Sequence, residues 1–184
     1  TIAYEIARRV NPLALIVIGR QAPHLPSVSP GQKPISAEKS DDDMMRVVAE
    51  RYQDQVLRKL MAEHPEMLSL FAGQIRGDFT AYERWDRCKL GPGDAGFRPA
   101  LNCPVWAVAG EDDALPRHNN AGWALHSTAK SPPPLVVPGG HFFTRNEDTM
   151  RRVVVDVERF VLDCLERPGT SCFKTLSTAS SIPD

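Results

Sequence analysis

Two side chains in this sequence have the types and positions of the acid and the base of a catalytic triad. His141 lies in the segment Pro138-Gly139-Gly140-His141-Phe142-Phe143, directly after a short apolar run, and Asp113 lies just after an earlier one. An imidazole titrates near neutrality, so it can take a proton from a hydroxyl and return it to a leaving group. A carboxylate at its other nitrogen would fix the tautomer and stabilise the charged ring. The pattern therefore predicts His141 as general base and Asp113 as its orienting acid.

Neighbouring residues offer alternatives to this assignment. Asp112 is the rival acid, and we favour Asp113 because the third residue after the strand-ending Gly110 is the usual place for it. His141 could instead cap or pack a loop, and the acids could be a solvated run of charges. The remaining histidines are interpreted as structural residues: His24, His64, His118 and His126.

A nucleophile for this pair is not found in the sequence. None of the 184 residues belongs to a Gly-x-Ser-x-Gly motif, the turn that presents the serine where the triad follows the order Ser, Asp, His. The chain begins with Thr1 rather than Met, already inside a helical pattern that runs to Val10 with Ile2 and Ile6 on its apolar stripe. We therefore expect the C-terminal part of a hydrolase, cut just after its nucleophile turn.

Length, charge and cysteine content narrow the class of protein. With 184 residues and 42% apolar content, the chain is expected to form one domain. A net charge of −1 gives no electrostatic footprint for nucleic acid, and no apolar run approaches the roughly 20 residues that span a bilayer. Four cysteines without zinc or disulfide spacing favour a cytoplasmic protein. No cofactor is predicted, and Asp41 to Asp43 are interpreted as helix-capping residues rather than a metal site.

Helix and strand patterns together predict an α/β fold. Leu13 to Ile18 is an unbroken apolar run, as is typical of a strand covered on both faces in a parallel sheet. Val105 to Ala109 and Leu135 to Val137 are predicted as two further strands, and a long amphipathic helix is predicted from Met150 to Cys164.

A helical lid is predicted between the first two strands, at about Ser36 to Arg76. One helix begins near Asp41 with an apolar face that extends to Leu60, and a second, short helix begins at Pro65. Apolar residues on these helices are either ordinary core or the lining of a ligand channel, a role that suits the adaptable side chain of Met. We assign five of them to a substrate site, together with Phe142 beside His141: Met44, Met45, Met67, Leu68 and Phe71.

Several of these segments resemble the type II thioesterases, free-standing α/β-hydrolases that remove acyl groups from carrier-protein thioesters in fatty-acid, polyketide and nonribosomal-peptide synthesis. Gly139-Gly140-His141-Phe142-Phe143 is similar to the family's His motif, and Cys103-Pro104-Val105 is similar to its preceding strand entry. Less specific matches are Ile2 to Arg9, Gly19 to Pro26 and Ile75 to Phe79. The resemblance covers Thr1 to about Leu165.

The resemblance implies a partial α/β-hydrolase fold, with a parallel sheet, flanking helices and an inserted helical lid. It implies that residues 1–167 form the C-terminal part of one thioesterase domain, and residues 168–184 are expected to be a disordered tail. The implied partner is an acyl carrier protein bearing acyl-phosphopantetheine, with neither nucleic acid nor membrane involved. By the same resemblance, a serine would lie just upstream of Thr1.

The sequence departs from the family in three respects. It lacks the serine-bearing turn and the earlier loop that supplies the second oxyanion donor, and its linker from Asp86 to Ala100 is longer. This chain alone is therefore expected to be inactive. Two alternatives stay open: a catalytically dead module that binds acyl carriers, and a hydrolase of the same fold that acts on esters or other substrates.

Overall fold

The computed structural model describes residues 2–26, 31–86, 91–113 and 120–166. Within these ranges the chain forms three strands and five α-helices, in the order α1, β1, α2, α3, α4, β2, β3, α5. The predicted tail at 168–184 and His118 lie outside the described residues. The bounds of the elements are as follows: α1 Ile2–Val10, β1 Leu15–Ile18, α2 Asp41–Arg51, α3 Gln55–Glu63, α4 Pro65–Asp86, β2 Val105–Gly110, β3 Leu135–Val137 and α5 Glu147–Glu166.

The three strands form a parallel sheet in the order β1-β2-β3. Leu15 pairs with Val105 at one end of the sheet, and Gly110 pairs with Val137 at the other. Every residue of β2 is buried, as expected for a central strand with helices on both faces. The sheet and its three strands agree with the prediction from the apolar runs.

Alternate residues of β2 pack into separate cores on the two faces of the sheet. Val105 and Ala107 join a cluster that includes residues of α1, whereas Trp106 packs with Phe160 of α5. The period of two along a strand separates the side chains in this way. The sheet is thus held between α1 and α5.

α1 presents a different face to the core from the one that its apolar stripe predicts. Tyr4 and Ala7 are buried, whereas Ile2, Ile6 and Val10 are exposed. Tyr4 faces inward because its hydroxyl bonds Nδ1 of His126 at 3.1 Å, a contact that helical spacing does not reveal. The apolar stripe of α1 therefore lies on the surface of this chain.

The lid consists of residues 35–86 and contains three α-helices instead of the two predicted. The single face from Met44 to Leu60 is divided because the chain turns between α2 and α3. Gln53 there has a positive φ of 52°, and the carboxylate of Asp54 caps α3 by accepting from the Leu57 N–H at 3.1 Å. The side-chain cap starts a new helix at the break.

α4 is also longer than predicted, because it continues past Arg76 to Asp86. The added turns are tied to the start of the lid: Glu83 accepts from the backbone N–H of Ile35 at 2.8 Å and from the hydroxyl of Ser36. Arg76 donates to the carbonyl oxygens of Ser36 and Glu38 at 2.9 and 2.8 Å. These contacts between distant residues stabilise helix through Gly73 and Gly77, where intrinsic propensity is low.

Gly110, at the end of β2, permits a close approach to the loop that follows β3. A Cβ at this position would overlap the carbonyl oxygens of Gly139 and Gly140. Both are backbone atoms, so no side-chain movement could relieve the overlap. Gly139 itself has a φ of 108°, in the region that residues with a side chain rarely adopt.

We expect Gly110→Ala to lower the free energy of unfolding by on the order of 3 kcal/mol, because the added methyl must displace backbone. Gly73→Ala in α4 is the control, since nothing lies within 4 Å of a Cβ there and alanine should stabilise an exposed helix by about 0.5–1 kcal/mol. Denaturant unfolding of the two variants measures both changes. Equal stability of Gly110→Ala and the unmodified protein would contradict the close approach.

Candidate active site

The loops after β2 and β3 are joined by backbone hydrogen bonds. The N–H of Glu111 donates to the carbonyl of Val137 at 2.7 Å, and the N–H of Asp112 donates to that of Gly139 at 2.9 Å. These bonds continue the pairing of the two strands beyond their carboxyl ends. They bring the segment that carries Asp113 against the segment that carries His141, at the edge of the sheet where sites form in α/β proteins.

His141 and Asp113 form a hydrogen bond of 2.7 Å between Nδ1 and Oδ2. The Asp113 side chain is 3% exposed and that of His141 is 22% exposed. Because a carboxylate only accepts, Nδ1 carries the proton and the neutral ring keeps its lone pair on Nε2. Asp112 and Glu111 are exposed, so Asp113 is the acid that the structure brings to the ring. The arrangement can accept a proton at Nε2 and stabilise the resulting charge.

The imidazole of His141 is contacted by residues from two other segments and by its own neighbour Phe142. The ring of Tyr52 lies 4.6 Å away between centroids, and that of Phe142 lies edge-on at 5.0 Å. Gly19, at the end of β1, approaches Cε1 closely, because a Cβ there would lie 3.8 Å from that atom. Burial raises the pKa of Tyr52, although Arg20 and Arg51 oppose this shift. Tyr52 therefore presents a neutral ring to the histidine.

A cavity of about 620 Å³ opens between the lid and this edge of the sheet, with His141 in its wall. Its surface is mainly apolar and aromatic, with a few charged groups. This combination suits an apolar ligand that is oriented by a small number of polar contacts. The lining residues are Arg20, Val48, Tyr52, Asp54, Leu57, Ile75, Asp78, Phe79, Tyr82, His141 and Phe142.

Of the six residues assigned to substrate binding, only Phe142 lines this cavity. Met44, Met45 and Leu68 are buried in the core of the lid, where they hold its helices together. Met67 and Phe71 lie on the outside of α4 and are 38% and 43% exposed. The helical stripe indicated that this segment is helical, but it did not distinguish the side that packs within the lid from the side that faces the sheet.

Sequence reasoning missed the lid residues that do reach the cavity. Val48 and Tyr52 belonged to the predicted apolar face of α2, but nothing in their spacing singled them out. Arg20, which follows Gly19, places its guanidinium 3.5 Å from the centroid of the Tyr82 ring in α4. Position after a strand end was a usable signal for Arg20, as it was for Asp113.

An ion pair joins the lid to the loop after His141. Arg145 donates from Nη1 to Oδ1 of Asp54 at 2.8 Å and from Nη2 to Oδ2 at 3.2 Å. Burial would raise the pKa of Asp54, but the hydrogen bonds and charge of Arg145 and the bonds from the backbone N–H groups of Leu57 and Val56 outweigh it, so this pKa is lowered. The Asp54 carboxylate is 6% exposed.

The described histidines other than His141 have structural surroundings. His126 is 2% exposed. Its Nδ1 is hydrogen-bonded to the Tyr4 hydroxyl at 3.1 Å, and its Nε2 is hydrogen-bonded to Nδ1 of His24 at 2.8 Å. His64 is an exposed residue near Glu66.

The acidic run at the start of α2 serves the helix. Ser40 caps α2 by accepting from the N–H of Asp43, Asp41 bonds Arg76, and Asp43 bonds Arg46. Within the described ranges, no group of three or more His, Cys, Asp or Glu side chains could hold a metal ion. None of the helices described combines the length and apolar character needed to cross a bilayer.

Solved structures that are similar to this chain include several thioesterases. RedJ, from the prodiginine pathway in Streptomyces coelicolor, has a TM-score of 0.59 at 24% identity, over 85% of this chain and 53% of RedJ. YbtT, a type II thioesterase from the yersiniabactin NRPS/PKS pathway, has a TM-score of 0.66 at 22% identity, over 88% and 59%. Human thioesterase 2 has a TM-score of 0.59 at 16% identity, over 90% and 65%. No family model and no curated protein matches the sequence.

This chain has the fold of the type II thioesterases. The prediction of a partial α/β-hydrolase fold is thereby confirmed. The chain spans between 53% and 65% of the length of these three thioesterases.

The Asp54–Arg145 pair should give the protein a pH-dependent part of its stability. A carboxyl group whose pKa is lowered on folding stabilises the fold above its ordinary value, here 3.8, and this stabilisation is lost as the pH falls through the lowered value. We expect Asp54→Asn to cost about 1–2 kcal/mol near neutral pH, since Arg145 is half exposed. Urea unfolding at decreasing pH should show the cost shrinking below 3.8, and a cost independent of pH would contradict it.

Proposed function

We propose that this chain supplies the acid, the base and the lid of a thioesterase that hydrolyses acyl groups from carrier proteins. The observation that carries the proposal is the 2.7 Å pair of Asp113 and His141, set in the wall of a largely apolar cavity beneath the lid. The thioesterase fold supports thioester hydrolysis in general. That the substrate is bound to a carrier protein, and that a serine is the nucleophile, are further parts of our proposal.

The proposed mechanism is that of a Ser-Asp-His hydrolase. A serine outside this sequence attacks the thioester carbonyl while Nε2 of His141 takes its proton, and Asp113 stabilises the imidazolium that forms. The C–S bond then breaks, and the imidazolium returns the proton to the leaving thiolate. Water attacks the acyl-serine with His141 again as base, which releases the carboxylic acid and restores the serine. This chain alone, without the serine, is expected to be inactive.

The surface of the chain supports the proposal that further residues of the domain pack against it. β1 is the edge strand of the described sheet, and the α1 side chains of Ile2, Ile6 and Val10 are 77%, 51% and 62% exposed. An unpaired edge beside exposed apolar residues is what remains when a sheet is described without its neighbouring strands. We propose that these strands carry the serine and the oxyanion donors.

The proposed substrate is an acyl group on the phosphopantetheine of an acyl carrier protein, in fatty-acid, polyketide or nonribosomal-peptide synthesis. YbtT and ClbQ belong to NRPS/PKS pathways, which supports this choice. The apolar walls formed by Val48, Leu57 and Phe79 would hold the acyl chain and exclude water. We further propose one catalytic domain, residues 1–167, in which the lid is inserted, and a cytoplasmic location, which the buried thiol of Cys103 supports.

In the complete protein, we expect Asp113→Asn to lower kcat by on the order of 10⁴, because the ring loses the acceptor that fixes its tautomer. Asp112→Asn is the matched control, since Asp112 is an exposed neighbour in the same loop, and it should change kcat by less than about threefold. Steady-state hydrolysis of an acyl thioester measures both. If Asp112→Asn were the damaging change, the assignment of the acid would be wrong.

A series of acyl thioesters of increasing chain length, assayed beside oxygen esters of the same acyl groups, tests the reaction class. Thioester hydrolysis with the higher kcat/KM supports the proposed function, whereas preference for the esters favours a different hydrolase of the same fold. Binding of an acyl carrier protein without turnover would favour the catalytically dead module. The upstream coding sequence separates these cases independently, because a Gly-x-Ser-x-Gly turn before Thr1 favours the enzyme.

A further inference from the structure

The turn between α2 and α3 contacts the loop that carries His141 through two independent interactions. Tyr52 places its ring 4.6 Å from the imidazole of His141. Two residues further on, Asp54 forms the two-bonded ion pair with Arg145. The guanidinium of Arg145 also lies 4.0 Å from the centroid of the Phe142 ring. One short segment of the lid thus contacts the histidine itself and the residues that follow it.

Both partners in this contact are held by their own backbone bonds. The N–H of Tyr52 donates to the carbonyl of Val48 at 3.0 Å, and that of Asp54 donates to Ala49 at 2.9 Å. In the facing loop, a short 3₁₀ turn contains Arg145, whose N–H donates to the carbonyl of Phe142 at 2.9 Å. The contact therefore joins two fixed turns rather than two mobile side chains.

The bond to Asp113 leaves one motion of the imidazole unconstrained. A hydrogen bond at Nδ1 holds that atom, but the ring can still pivot about the bond and carry Nε2 away from its working position. The ring of Tyr52, tilted by 44° against the imidazole, blocks such a pivot on the lid side, and the nearly perpendicular ring of Phe142 limits it from within the loop. Positioning of reacting groups is worth large factors in rate, so this constraint matters for catalysis.

We propose that Tyr52 and the Asp54–Arg145 pair are positioning residues for His141, and that the base is correctly oriented only when this turn of the lid is seated on the loop. The inference rests on the proposed function, because it assigns these residues a role in the reaction of the same site. Asp113 holds the ring from the sheet, and the lid holds it from the opposite side. The contact of the lid with the loop and the correct orientation of His141 then occur together.

The test compares Tyr52→Leu, which removes the aromatic face, with Tyr52→Phe, which keeps it. In the complete protein, Tyr52→Leu should lower kcat by about tenfold to a hundredfold, with a smaller change in KM, and Tyr52→Phe should recover most of that loss. The double variant Asp54→Asn/Arg145→Met removes the ion pair without leaving a buried charge, and it should lower kcat in the same way. Arg151→Met is the control, because Arg151 forms an exposed ion pair with Glu147 on α5.

A second measurement does not depend on turnover. In the proton NMR spectrum, the Nδ1–H of a histidine bonded to a carboxylate resonates far downfield of the amides and disappears when it exchanges rapidly with water. We expect this signal in the unmodified protein and in Tyr52→Phe, and its loss or broadening in Tyr52→Leu. Circular dichroism and thermal unfolding of each variant identify any that fails to fold. If Tyr52→Leu fails to fold, the double variant Asp54→Asn/Arg145→Met is tested by the same two measurements, and full kcat together with an unchanged downfield signal would then overturn the proposal.

The two measurements separate failure of this proposal from failure of the proposed function. If Tyr52→Leu retains both full kcat and the downfield signal, the positioning role is overturned while thioester hydrolysis stands. If the unmodified protein hydrolyses no thioester but shows the downfield signal, and Tyr52→Leu loses that signal, the positioning role stands and the proposed function is wrong. A fall in kcat equal in Tyr52→Leu and Tyr52→Phe would assign the effect to the hydroxyl and would also overturn the proposal.

Discussion

The contact between the loops after β2 and β3 is the constraint on which the rest of this site depends. Two parallel strands end side by side, and their backbones continue to bond beyond the sheet, from Glu111 to Val137 and from Asp112 to Gly139. Only a residue without a side chain permits this approach at Gly110. The carboxylate of Asp113 then meets the imidazole of His141 without any further adjustment of the chain. Asp113 and His141 are therefore brought together by the sheet itself.

The lid completes the surroundings of His141 from the opposite direction. A carboxylate buried to the extent of Asp113 is stabilised by its hydrogen bonds, whereas the ring it holds is still partly exposed. Tyr52 and Phe142 cover that ring with apolar surface, which excludes water and strengthens the electrostatic interaction with the acid. The charged groups of the contact, Asp54 and Arg145, lie further along the same two segments. The aromatic rings thus shield the imidazole from water, whereas the ion pair attaches the lid to the loop.

The strands and the acid–histidine pair were predictable because their signals are local. Unbroken apolar runs identify strands of a parallel sheet, and a glycine followed by polar residues marks where each strand ends. Parallel strands bring such ends to one edge, so Asp113 and His141 could be placed together from the sequence. Asp113 and Asp112 could not be separated in that way, because their choice depends on which carboxylate turns inward after Gly110.

The lid and the orientation of α1 were predicted less well because they depend on contacts between distant residues. The break between α2 and α3 follows from the positive φ of Gln53 and the cap made by Asp54, and neither interrupts the apolar spacing. α4 extends to Asp86 because Glu83 bonds Ile35 and Ser36, almost fifty residues earlier. Tyr4 turns inward to bond His126, so the more apolar stripe of α1 faces outward. Apolar spacing with a period of 3.6 residues predicts a helix, but it does not identify the residues against which that helix packs.

In the lid, the residues that hold the helices together are largely different from those that line the cavity, which explains why most residues assigned to substrate binding do not reach it. Met44, Met45 and Leu68 form a core that is enclosed within the lid. Leu57, Ile75 and Phe79 pack against that core on one side and line the cavity on the other, while Val48 is shared by both sets. Changes at Leu57 or Ile75 can therefore alter the shape of the cavity while the central methionines still hold the helices together. The shape of the cavity can thus change through this inner layer without loss of the turn that contacts His141.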